Sequence, residues 1–99
     1  MIERINSNEE RLDNILLSIK KLEEALYLFK VNKKNISLVN KYYGSKNWFK
    51  DKELYEQNKI PHIKAGVLSE DIVWNMNEDI SEIIDEMRRI IKMYSGSDK

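Results

Sequence analysis

The sequence predicts an all-α fold, a small helical bundle with long N- and C-terminal antiparallel helices joined by short helices. Three observations carry this. Across 99 residues there are one Pro and three Gly against a large supply of Leu, Ile, Glu and Lys, a composition that favours helix. Apolar residues recur at steps of three and four at both ends of the chain. Between those ends lie short apolar runs punctuated by capping residues, as expected of brief connecting helices.

In the first helix the apolar seam is Ile5, Leu12, Ile15, Ile19, Leu22, Leu26 and Phe29, lapsing only near Asn8. This is the seam of an amphipathic helix or of a coiled coil. Leu16, Leu17, Tyr27, Leu28 and Val31 add apolar surface beside it. The surplus predicts a helix covered on more than one side, and with it a homodimer, since exposed apolar stripes associate. "VNKKNIS" interrupts the pattern, and Asn35 or Ser37 is expected to cap a short second helix carrying Ile36, Leu38, Val39, Tyr42 and Tyr43. Gly44 is placed to end that helix. Ser45 is placed to cap a third, running from about Lys46 to Gln57, with Trp48, Phe49 and Tyr55 facing inward.

"NKIPHIKAG" reads as a true loop, with Pro61 barring helix continuation and Gly66 free to take a positive φ. Beyond it Val73, Met76, Ile80, Ile83, Met87, Ile90 and Tyr94 form the second long seam. Asn77 or Asp79 is a candidate fresh cap that would leave Ser69 to Met76 as a separate short helix. Residues 1–95 are expected to form one helical domain and 96–99 a frayed tail, with Gly96 a C-cap candidate.

Composition also removes functions. With no Cys there are no disulfides, zinc thiolates or thiol nucleophiles, which suits a reducing compartment. The charged start "MIERINSNEERL" lacks a continuous apolar run, so neither a secretion signal nor a membrane span is expected, and a cytoplasmic location is. The formal charge is zero, but residues 1–29 hold four basic and six acidic side chains (−2), residues 30–64 nine and three (+6), and residues 65–99 four and eight (−4). Segments that neutralise one another on folding or assembly explain this more simply than a nucleic-acid footprint, because the domain as a whole is not basic.

The string "AGVLSED" is the most purposeful stretch, and helix initiation accounts for it. The Ser69 hydroxyl suits an N-cap near Ile72, and Glu70 and Asp71 place negative charge in the first turn. Leu68 and Val73 occupy hydrophobic-staple positions. A catalytic reading would need two carboxylates on one reacting atom, yet neighbours such as Glu70 and Asp71 diverge by about 100° on a helix. Asp51 would have to join them.

His62 is the only histidine and has no metal-ligand partner at helical spacing. Glu78, Glu82, Asp85 and Glu86 read as a solvated face, with Arg88 and Arg89 spaced to pair with Asp85. Gly44, Gly66 and Gly96 are too scattered for a phosphate loop. No metal and no cofactor is expected. "NKYYGSKNWFKDKELY" interleaves aromatics with Lys41, Lys46, Lys50 and Lys52, a mixture that suits either a small core or nucleic-acid stacking, and core is favoured in so short a domain.

"KYYGSKNWFKD" followed by "KIPHIKAGVLSED" resembles a small bacterial family known as domain of unknown function 4298. The resemblance rests on Tyr42, Tyr43, Trp48, Asp51, Pro61 and the string Gly66 to Asp71, which includes Ser69, Glu70 and Asp71, and spans nearly the whole chain. Lys and Asn are richer here around the motifs, and His62 and Ile63 follow the proline where a more polar pair is expected. The resemblance implies a cytoplasmic bacterial or phage protein and lends no activity. It marks Tyr42, Tyr43, Trp48, Asp51, Pro61, Gly66, Ser69, Glu70 and Asp71 as the family motif and candidate interaction residues, with the Tyr pair, Trp48 and Asp51 packing on or hydrogen-bonding the cap at Ser69. The leading expectation is a non-enzymatic protein-interaction module: an adaptor, regulator or inhibitor that binds a protein partner through a helical face. The alternative is a nucleic-acid-associated regulator using residues 30–64.

Overall fold

The computed structural model describes residues 1–96 and is all-α: α1 (Ile2–Val31), α2 (Lys33–Tyr42), α3 (Lys46–Glu56) and α4 (Glu70–Ser95), with a 3-10 turn at Gly66–Leu68 before α4. There is no strand among the described residues. The class and the two long end helices are those the sequence predicts. The chain divides into two compact units, Met1–Ser37 and Leu38–Lys99.

In the first unit α1 runs unbroken through the lapse at Asn8. There the amide side chain donates to the Arg4 carbonyl at 2.9 Å and accepts from Arg11 at 3.0 Å, so a poor helix former is satisfied within its own helix. None of the 30 residues of α1 is buried, and Phe29 alone is half-buried. The break after Val31 is slight, because Asn32 stays in the right-handed region (φ −83°, ψ −2°) and its side chain donates to the Leu28 carbonyl. The expected caps Asn35 and Ser37 instead lie inside α2. Asn35 donates to the Asn32 side chain and Ser37 to the Lys33 carbonyl, since the chain is already helical when it reaches them.

The second unit is assembled around Trp48, Leu68 and Val73, its buried apolar residues. Gly44 takes φ 77° to end the α2 run, a conformation that suits a residue without Cβ. The Ser45 side chain then accepts from the Trp48 N–H at 3.2 Å and starts α3, one residue shorter than expected. Beyond Gln57, Asn58 takes φ 57° and its N–H donates to the Tyr55 carbonyl, while Lys59 donates to the Leu54 carbonyl, closing a Schellman motif. The positive φ expected at Gly66 therefore belongs to Asn58. Gly66 opens the 3-10 turn instead, and a Cβ there would meet Ile72 Cδ1 at an ordinary 3.5 Å.

Helix α4 is continuous, so Asn77 and Asp79 cap nothing. Asn77 donates back to the Val73 carbonyl and exchanges amide hydrogen bonds with Asn40 of α2 at 2.8 and 3.1 Å. Gly96 closes α4 at φ 81°, and the remaining residues of the expected tail, 97–99, lie outside the described residues. No helix among the described residues is long and apolar enough to cross a membrane.

Candidate functional site

Helical spacing puts Trp48, Asp51, Lys52 and Tyr55 on one side of α3. Trp48, 2% exposed, donates its indole N–H to the Val67 carbonyl at 2.9 Å. That bond fastens α3 to the 3-10 turn just before the Ser69 cap. Tyr43 meets the indole edge-on at 5.1 Å between centroids and donates its hydroxyl to the Glu70 carbonyl at 2.8 Å. Ser69 accepts from the Asp71 and Ile72 N–H groups at 3.3 and 3.4 Å, the cap the sequence predicts, and Leu68 and Val73 are buried at their staple positions.

Lys52 completes the lock. Its ammonium pairs with the Glu70 carboxylate at 2.7 Å and lies 5.0 Å from the Trp48 ring centroid, so one cation serves a salt bridge and a cation–π contact. The hydrogen bond to Glu70 raises the Lys52 pKa, and the same bond lowers that of Glu70, so the pair stays ionised around neutrality. Lys52 was not among the motif positions, although its place four residues after Trp48 on the same helix face was the available signal.

Tyr42 and Asp51 follow a different course from the one expected. Rather than meeting the cap, they bond each other, the phenol donating to Asp51 Oδ2 at 2.6 Å. Burial first, and then this bond, push the Tyr42 pKa up to about 12. Phe49, expected inside, is 61% exposed, because it follows Trp48 directly and points off the buried face. Arg88 pairs with Asp85 as expected, whereas Arg89 takes Glu86 at 2.7 Å, also three residues away. His62 is exposed and meets Tyr55 edge-on at 5.9 Å.

Two open grooves flank the lock. One, of about 430 Å³, is lined by Lys52, Tyr55, Glu56, Ser69, Glu70 and Asp71 among others. Asp51 is not part of its wall and is engaged by Tyr42, so the three carboxylates of the catalytic reading do not line this groove together. The other, of about 370 Å³, is largely apolar, lined by Val39, Val67, Ile72, Val73 and Met76 together with Lys64. Pro61 lies in the connecting loop and is exposed.

Tyr43, just past the end of α2, and Trp48 and Lys52 of α3 thus fasten the start of α4, while Tyr42 and Asp51 tie α2 to α3. This defines a small all-α protein whose most distinctive residues join helices to one another. The chain belongs to the family described as domain of unknown function DUF4298, whose model matches residues 5–90. No curated protein and no solved structure matches it.

Proposed function

We propose that this is a non-enzymatic protein-interaction module of the cytoplasm, an adaptor, regulator or inhibitor, that works through the apolar seam of α1 and self-associates as a homodimer. One observation supports this above others. Ile5, Leu12, Ile15, Ile19, Leu22 and Leu26 are each between 45% and 56% exposed, in a helix without a single buried residue. Singly exposed apolar residues are ordinary, but a helix-long row of them is what a partner covers. Sedimentation of the wild type and of Leu22→Asp at micromolar concentration tests the reading. A dimer that persists at high salt and is lost in the variant is expected, whereas a wild type that is monomeric throughout overturns self-association.

A second reading has its own observation. Phe49 stands exposed beside exposed Lys46 and Lys50, within a segment of net charge +6. That is a stacking face with cations for phosphates. The test is fluorescence anisotropy of a labelled single-stranded RNA. Phosphate binding weakens steeply as salt rises, and absence of binding at low salt removes this reading.

A further inference from the structure

We infer that α1 pairs with α1 of a second copy of this chain in the antiparallel sense, Ile19 of each helix lying against Leu22 of the other about a two-fold axis. The inference rests on the self-association proposed above and adds its direction and register.

The heptad that carries the seam puts Ile5, Leu12, Ile19 and Leu26 in one core row and Asn8, Ile15, Leu22 and Phe29 in the other. When two such helices run in opposite directions, each row meets the other. The layers are then Ile19 on Leu22, Ile15 on Leu26 and Leu12 on Phe29, each occurring twice, which makes six consecutive apolar layers centred on the axis. At on the order of 100 Å² for each of the six side chains per helix, the contact reaches about 1,200 Å², the lower bound for a stable interface.

Charge selects the direction. Residues 1–15 carry two basic and four acidic side chains (−2), and residues 16–34 carry five and two (+3). Antiparallel pairing lays the acidic half of one helix along the basic half of the other, with Glu9 beside Lys30. Parallel pairing sets like against like. It also opposes Asn8 to Asn8 and, one heptad past Leu26, Lys33 to Lys33, since Asn32 keeps the backbone helical through the junction. In the antiparallel register Asn8 faces Lys33, an amide oxygen beside an ammonium, at the outer ends of the contact.

The row of α1 is open from Ile5 to Leu26, and Phe29 at its end is half-buried. Leu17, Leu28 and Val31 lie off the seam and outside this pairing.

Because the described residues contain no cysteine, single spin labels can be placed at Ser7→Cys or Lys21→Cys on the outer face of α1, and label-to-label distances read by pulsed electron resonance. At a rise of 1.5 Å per residue, the antiparallel dimer separates the two labels at position 7 by about 40 Å and brings those at position 21 within about 20 Å. That pair of results supports the inference. Short distances at both positions mean a parallel dimer and overturn the direction while leaving self-association standing. No dipolar coupling at either position, with each labelled protein sedimenting as a monomer, overturns both.

Discussion

Tyr42 shows how much a single residue's neighbourhood decides. Its phenol is half-buried, donates to Asp51 at 2.6 Å, and has its pKa raised from 10 to about 12. A raised folded-state pKa favours the protonated form, so the contribution to stability is fully present below pH 10 and is lost as pH climbs towards 12. Tyr42→Phe removes that contribution and is expected to cost about 1 kcal/mol near neutrality, the net worth of one such hydrogen bond. Urea midpoints of the two proteins should differ at pH 8 and converge above pH 11, where the wild type has lost what the variant never had. Equal midpoints at pH 8 would mean the phenol bond contributes nothing to folding, and a gap that stays constant across that range would mean its contribution does not depend on the phenol's ionisation. Trp48 carries more. Removing its side chain empties the best-buried position and frees the Val67 carbonyl, so Trp48→Ala should cost about 3–5 kcal/mol. In so small a unit that abolishes cooperative melting, and an unchanged melting temperature would refute the lock.

At the level of elements, the helix ends divide into those legible in sequence and those that are not. Ser45 and Ser69 were readable as caps, because a hydroxyl before an apolar-periodic run has few other uses and both accept the N–H groups expected of them. Ser69→Ala should lower stability by about 1 kcal/mol, measured by urea titration of far-UV ellipticity, since both bonds to Ser69 are long. Asn35, Ser37 and Asn77 misled for the converse reason. Each has a capping side chain, yet each spends it on a carbonyl or an amide inside a helix that is already running. The end of α3 lies within one residue of its expected place, but the device that closes it is not legible, because Asn58 at φ 57° serves where glycine is expected. Asn58→Gly should therefore be neutral or slightly stabilising, and Asn58→Val clearly destabilising, by thermal melting.

For the molecule as a whole, periodicity announced two long amphipathic helices, and both are present. What periodicity leaves open is the occupant of each seam, because an apolar row has the same spacing whether its own chain or another covers it. The candidate site divides the same way. Tyr43, Trp48 and the Ser69 cap come together as the motif suggested, while Lys52 and the Tyr42–Asp51 bond depended on side-chain reach that spacing does not encode.

The last prediction turns on the contrast between the two units. Every residue of the buried set, Trp48, Leu68 and Val73, lies in the second, whereas the first is a long helix that buries nothing of its own. Helices in water draw most of their stability from covering an apolar face, and a mixed sequence of this length is marginal without that cover. If a second copy supplies it, helicity in α1 follows mass action. In a Trp74→Phe background, far-UV ellipticity at 222 nm should then fall on dilution below the dissociation constant, while the shielded emission of Trp48 stays fixed because its partners belong to the same unit. Ellipticity independent of concentration would mean that α1 is stabilised without self-association. Trp48 emission shifting in step with ellipticity would mean that the two units fold as one.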